Sequence, residues 1–123
     1  MVPSTSSPAA ILTKALVSSG ELLGLTREQV ASILHLGPES VDQFAREEVA
    51  LKENSTEWQR ALMLVDVYRL LSGLVGGDER HVQSWMRSSN DAFLAAPTDL
   101  ILRPDGLSKI LEYLRQHSDG AFG

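Results

Sequence analysis

Apolar residues recur at helical spacing along almost the whole chain of 123 residues. The first helix is predicted to begin near Ala9 and to end at Gly20, and further helical stretches follow between turn signals. No segment alternates between apolar and polar residues with the period of two that is expected of a half-buried strand. We therefore predict an all-α fold, preceded by a disordered lead-in at residues 1–8, which contain two prolines and four Ser or Thr residues.

A helix-turn-helix is predicted within residues 9–54. Thr26 and Gln29 have the spacing of a capping box at the start of one helix. Gly37-Pro38 then ends that helix and begins the next, because glycine permits a positive φ and proline favours the first position of a helix. The second helix is expected to run to about Val49.

The exposed face of this second helix carries conflicting signals for DNA binding. Ser40 and Gln43 could contact base edges and Arg46 could contact a phosphate. Glu39 and Asp42 share that face and would repel phosphates, whose neutralisation supplies much of the affinity for DNA. Residues 1–50 carry three basic and six acidic residues, a net charge of −3. Two interpretations stay open: a DNA-binding surface, or a helical hairpin that serves as packing or dimer surface.

Residues 57–75 form the most apolar stretch, and on a helix they present two apolar stripes. The first stripe consists of Ala61, Leu64, Val65, Tyr68, Leu71 and Val75. The second stripe consists of Met63, Val67, Leu70 and Leu74. The core of so small a chain needs one stripe, so neighbouring helices, a second copy of the chain or a partner must cover the second. We predict a dimer or partner contact there, and a homodimer as the assembly.

Composition removes several classes of function. The chain has no cysteine, and its three histidines lie far apart without a ligand partner at metal spacing, so neither a metal nor another cofactor is expected. No glycine-rich phosphate loop or nucleophile motif is present, which predicts a protein that is not an enzyme. No apolar run approaches the roughly 20 residues needed to span a bilayer, and no signal peptide is recognisable. A cytoplasmic location without membrane contact is predicted.

A series of residues in the C-terminal half resembles a known family in its order and spacing. The series is Gly77-Asp78-Glu79, Trp85-Met86-Arg87, Asn90, Pro97-Thr98-Asp99-Leu100-Ile101, Asp105-Gly106-Leu107 and Ile110-Leu111. It resembles the toxin-binding domain of the Xre/MbcA/ParS-type antitoxins, in which this domain follows an Xre-like helix-turn-helix. The resemblance covers residues 22–50 and 57–116, and it implies a toxin-binding helical domain at residues 55–123.

The resemblance implies how such a domain would act. Antitoxins of this family bind a toxin of the RES type, which has an ADP-ribosyltransferase-like fold and consumes NAD, and they inhibit it by covering its NAD pocket. The contacts would come from the loop 90–97, the short helix after it and the tail 115–123. The candidate toxin-binding residues are Arg87, Asn90, Phe93, Leu94, Pro97, Asp99, Arg115 and Gln116.

Some of these candidates also have a structural explanation. Arg87 suits the C-terminal end of a helix dipole. Asn90 could end a helix in the left-handed conformation or bond the loop backbone. Pro97 and Asp99 suit the first turn of a short helix. Phe93 and Leu94 are different, because apolar residues exposed on a loop are typical interface anchors.

The sequence also departs from the family pattern. Asp91 stands where the family usually has proline, and Ala95-Ala96 replace a glycine-rich step before Pro97. We expect an antitoxin of a type II toxin–antitoxin system that occludes the NAD pocket of its toxin. Repression of its own operon would follow if the second helix of the predicted helix-turn-helix binds DNA. The alternatives are a stand-alone helix-turn-helix transcriptional regulator whose C-terminal domain dimerises, and an interaction module left from a system with no active toxin.

Overall fold

A computed structural model describes residues 7–122, with the side chains of residues 7–118, and these residues form seven α-helices. The helices are α1 (Pro8–Leu22), α2 (Arg27–Leu34), α3 (Pro38–Ala45), α4 (Thr56–Leu74), α5 (Glu79–Arg87), α6 (Pro97–Leu100) and α7 (Gly106–Phe122). Within residues 7–122 the sole β-type pairing is an isolated bridge between Asn90 and Ala95. The prediction of an all-α fold is confirmed.

Helix α1 differs from the prediction at both ends. Its N-cap is Ser7, whose hydroxyl accepts a hydrogen bond from the Ala10 amide at 3.0 Å, so the last two residues of the predicted lead-in belong to the helix start. Residues 1–6 of that lead-in lie outside the described residues. The predicted stop at Gly20 is wrong, because Gly20 is a buried interior residue of α1. A Cβ there would lie 2.7 Å from Cγ2 of Val30, so glycine allows α1 and α2 to approach closely.

Helices α2 and α3 are joined by a three-residue turn at 35–37. The capping box at Thr26 and Gln29 is present in full, which confirms the predicted start of α2. The predicted extension of α3 to Val49 is wrong. The chain turns at Glu47, where φ is 60°, and the Glu48 amide donates to the Gln43 carbonyl at 2.9 Å. This Schellman-type closure ends the helix although no glycine marks it.

Helix α4 lies at the centre, packed against α1 on one side and α7 on the other, with α2 in contact as well. Leu64 and Leu71 of α4 are fully buried in one continuous core that also contains Leu16 of α1 and Leu114 of α7. The predicted regions 9–54 and 55–123 therefore share this core.

Two long-range hydrogen bonds reinforce this packing, and the one from Arg60 to Ile33 joins the two regions. Thr13 of α1 accepts one from the Leu51 amide at 2.9 Å, and the Arg60 guanidinium of α4 donates one to the Ile33 carbonyl. Thr13 is buried and also donates to the Ala9 carbonyl at 2.6 Å, so both hydrogen-bonding functions of its hydroxyl are used. The connection between α3 and α4 is thus fixed to α1 at Leu51. None of the helices in the described part of the chain combines the length and the apolar character needed to cross a bilayer.

Candidate functional site

The C-terminal half of the fold is organised around three aromatic rings. Helix α5 begins at its N-cap Asp78, whose carboxylate accepts a hydrogen bond from the Arg80 amide at 2.9 Å. Trp85 on its half-buried face contacts Phe93 of the following loop and Tyr113 of α7, with ring centroids 6.2 Å away in each case. Phe93 and Tyr113 lie 5.0 Å apart, edge to face. These rings, which we call the aromatic cluster, join the loop to two helices.

Asn90 holds the loop together through both its backbone and its side chain. Its carbonyl accepts hydrogen bonds from the amides of Phe93 at 3.0 Å and Leu94 at 2.8 Å, and its amide donates to the Ala95 carbonyl at 3.0 Å. Its side-chain oxygen accepts from the Ala92 amide at 2.8 Å. Asn90 therefore bonds the loop backbone, which is one of the two structural roles expected for it. It does not end a helix in the left-handed conformation, because its φ is not positive.

Phe93 and Leu94, both expected to be exposed, have opposite environments. Phe93 is half-buried in the aromatic cluster, so its predicted exposure is wrong for most of its ring. Leu94 is 89% exposed and adopts φ of 57°, in the left-handed region that leucine rarely occupies. Leu94 is therefore the apolar side chain that this loop presents to solvent.

Helix α6 fixes the far end of the loop. Pro97 is buried at its first position, and Thr98 donates a hydrogen bond to the Met86 carbonyl of α5 at 2.7 Å. The helix ends at Leu100. A Cβ on Gly106 would overlap the Leu100 carbonyl oxygen, so the first residue of α7 must be glycine for α6 and α7 to meet. Asp99 is exposed in the first turn of α6.

The remaining predicted toxin contacts lie on the helices around this loop. Arg87 is exposed in the last turn of α5, and Gln116 is exposed on α7. Arg115 is also exposed, and its guanidinium lies 3.6 Å from the carboxylate of Asp66 on α4. Asp66 also pairs with Arg69 at 3.2 Å. Residues 119–123 of the predicted tail lie outside the described side chains.

Sequence reasoning missed two rings on α7. Tyr113 is part of the aromatic cluster, and His117 stacks on it with ring centroids 4.0 Å apart. The His117 Nδ1 lies 2.8 Å from the Tyr113 carbonyl oxygen. The spacing of four residues between two rings on one helix was the available signal, since such residues are neighbours on the helix surface.

The predicted DNA-binding residues lie on α3 or directly after it. Ser40 and Gln43 are half-buried, and the exposed Arg46 pairs with the Glu48 carboxylate at 3.1 Å. Arg27 of α2 pairs with Asp42 of α3 at 2.8 Å, and the hydrogen bond from Arg27 to Asp42 raises the pKa of Arg27. Both arginines of the α2–α3 pair thus already have carboxylate partners.

Most of the second apolar stripe of α4 is covered by the chain itself. Val67 is fully buried, while Met63 and Leu70 are half-buried against the core. Leu74 is 40% exposed. Val67 therefore has no surface to offer a partner, and the contact predicted for this stripe is restricted to its other three residues.

A cavity of about 180 Å³ lies apart from the loop, between α1 and the turn after α3. None of the predicted site residues lines it. Across the described residues, no three His, Asp or Glu side chains are grouped so that they could hold a metal ion.

Comparison with known protein families gives a match in the C-terminal half. Residues 64–120 match the family model of the antitoxin Xre/MbcA/ParS C-terminal toxin-binding domain. Comparison with curated proteins gave no match. The matched range begins within α4 and includes the aromatic cluster, the loop and most of α7, whereas α1 to α3 lie outside it. The match supports the family indicated by the residue series and, in general, the role of an antitoxin that has a toxin as partner.

Proposed function

We propose that this protein is the antitoxin of a type II toxin–antitoxin system that inhibits a RES-type, NAD-consuming toxin by covering its NAD pocket. The observation that carries the proposal is the match of residues 64–120 to a toxin-binding domain. An antitoxin of this kind inhibits by steric exclusion, so it needs an exposed contact surface and no catalytic group. Because its toxin consumes NAD, the proposed place of action is the cytoplasm.

The proposed contact surface consists of exposed residues of the loop and of helices α5, α6 and α7. Leu94 supplies apolar contact, while Arg87, Arg115 and Gln116 offer hydrogen-bond donors to a polar pocket. Asp99 adds an exposed carboxylate. Asn90, Phe93 and Pro97 keep this surface in shape through the hydrogen bonds, the ring contacts and the helix start described above, so they act by positioning the contact residues.

Co-expression with the toxin-like protein encoded beside this chain tests the proposal. The wild-type chain is expected to restore growth and cellular NAD and to co-purify with the toxin. A variant that combines Phe93→Ala and Leu94→Asn and ends at Leu114 is expected to lose this protection.

Two further sets of substitutions separate loss of contact from loss of folding. The milder pair Arg115→Ala and Gln116→Ala alters two exposed side chains and leaves α7 complete. Leu62→Gln alters an exposed leucine on α4 that belongs to none of the proposed contacts. Thermal unfolding of each purified variant reports folding. Full protection by the truncated combination, or a fall in NAD despite the wild-type chain, would refute the proposed mechanism.

A second function, DNA binding by α2 and α3, is favoured by the short turn that joins these helices and by the capping box at Thr26. It would serve autorepression in the antitoxin, or transcriptional regulation if the protein acts alone. The carboxylate partners of Arg27 and Arg46 oppose it. Binding to operator DNA that falls steeply with salt, and that is lost when Gln43 and Arg46 are replaced, would support this function.

The proposed homodimer would use the exposed part of the second stripe, centred on Leu74, or the α2–α3 side. Light scattering of the purified chain measures its mass directly. A mass near 13.4 kDa at micromolar concentration would exclude the dimer.

A further inference from the structure

Leu94 combines two features that bring no benefit to the isolated chain. Its side chain is 89% exposed, so it adds little to the core, and its backbone has φ of 57°. Left-handed conformations are disfavoured for residues with a Cβ, and glycine or asparagine fills such positions at lower cost. A leucine there retains the strain without gaining burial. Strained residues of this kind cluster at functional sites.

The position of Leu94 is held by its surroundings. Its amide donates to the Asn90 carbonyl at 2.8 Å, and the residue after it forms the bridge to Asn90. The residue before it packs its ring against Trp85 and Tyr113. Loop residues held in this way lose little conformational freedom when a partner binds, so their contacts convert efficiently into affinity.

We propose that Leu94 is the principal apolar anchor of the toxin interface and that it inserts into an apolar pocket on the surface of the toxin. The inference rests on the proposed function, because the partner is taken from the matched toxin-binding domain, which contains the whole loop. It adds that one residue dominates the affinity, that its receptor is apolar, and that the adjacent Phe93 contributes by positioning the loop.

Leu94→Asn is the variant that isolates this contact. Asparagine tolerates the left-handed backbone, so the loop conformation is kept while the apolar side chain is removed. Binding of the purified variant to the toxin-like protein encoded beside this chain is expected to weaken by about 30-fold or more, the level that defines a dominant interface residue. The melting temperature is expected to stay unchanged or to rise. A purely structural role for Leu94 would lower it.

Leu62→Gln is the matched control, because it also removes an exposed leucine, but from α4 and not from the loop. It is expected to bind the toxin within about threefold of wild type. Phe93→Leu serves as a second variant, which is expected to lower the melting temperature and to weaken binding less than Leu94→Asn. This order of effects separates the anchor from the residue that positions it.

The outcomes distinguish this inference from the proposed function. If the wild-type chain does not bind the candidate toxin, both fail. If the wild type binds and Leu94→Asn binds within about threefold of it, the inference is overturned and the proposed function stands. If Leu94→Asn instead turns a dimer of this chain into a monomer without weakening toxin binding, a second copy is the partner of Leu94, and the inference is again overturned.

Discussion

The α2–α3 pair and the loop after α5 use their polar groups in opposite ways. In the α2–α3 pair, the exposed Arg27 and Arg46 form ion pairs with carboxylates of the same region. In the loop, Asn90 directs its hydrogen bonds at the backbone, and the outermost side chain is the apolar Leu94. The first region pairs its two arginines internally, whereas the second uses the polar groups of Asn90 to hold an apolar side chain in solvent.

This difference favours the loop over the α2–α3 pair as the region organised for a partner. A DNA-binding surface needs cations that are free to neutralise phosphates, and the acidic face of α3 lacks them. A protein interface needs an apolar anchor surrounded by polar groups, which is the arrangement at the loop. The match of residues 64–120 to a toxin-binding domain falls on the same region.

The largest effect is expected from Gly106→Ala, which tests whether the loop depends on the close contact of α6 and α7. The added Cβ would overlap the Leu100 carbonyl oxygen, and a backbone atom cannot move aside without displacing α6. We expect a loss of roughly 3 kcal/mol or more in the free energy of unfolding. Urea denaturation followed by circular dichroism measures this loss.

Gly20→Ala is the matched change in the N-terminal region. There the new Cβ meets only the Val30 side chain, at 2.7 Å, which can adjust. The free energy of unfolding is expected to fall by about 1 kcal/mol, because the higher helix propensity of alanine offsets part of the steric penalty. Equal costs at the two glycines would show that the α6–α7 contact is no tighter than the contact of α1 with α2.

A loss of stability smaller than that of Gly106→Ala is expected from Phe93→Ala, which removes one ring of the aromatic cluster. The ring is half-buried, so we expect about 2 kcal/mol, less than the cost of a fully buried phenylalanine. Fluorescence of Trp85, measured in a Trp58→Phe background, is expected to change with it. An unaltered stability and spectrum would mean that the loop is held by Asn90 alone.

The smallest effect is expected from changing the charge of the α2–α3 pair. Glu39→Lys with Glu48→Gln adds a cation and releases Arg46 from its carboxylate. At low salt, nonspecific DNA affinity is expected to rise by about tenfold, with a steeper salt dependence. Fluorescence anisotropy with a labelled duplex measures both quantities.

Glu112→Lys with Glu53→Gln makes the same change in net charge at other exposed positions. If this control gains as much affinity, the effect arises from total charge and not from α3. Strong, salt-dependent DNA binding by the wild-type chain would contradict the contrast drawn between the α2–α3 pair and the loop. It would show that the paired arginines remain available to phosphates.

Local rules in the sequence predicted where helices begin better than where they end. Thr26 and Pro97 are signals that act within one turn, and each begins its helix as expected. The ends depended on distant residues. Gly20 continues its helix because its missing Cβ accommodates Val30, and Glu47 ends α3 without the glycine or asparagine that would mark a left-handed residue.

The candidate site shows the same limit. The sequence was sufficient to predict that Leu94 is exposed and to give two structural roles for Asn90, of which the bonding of the loop backbone is found. It could not predict that Phe93 turns inward, because the ring that receives it, Tyr113, lies on α7. The ion pair of Arg115 with Asp66 likewise depends on how α7 packs against α4.

The hydrogen bond between Thr13 and the Leu51 amide has a consequence for how the chain folds during synthesis. It fixes the connection between α3 and α4 to α1, and α1 covers one side of α4. The N-terminal helices leave the ribosome first, but they cannot complete their core until α4 has emerged. A fragment that begins at residue 55 would lack the cover that α1 provides. The two halves of this chain are therefore expected to mature together, as one cooperative unit.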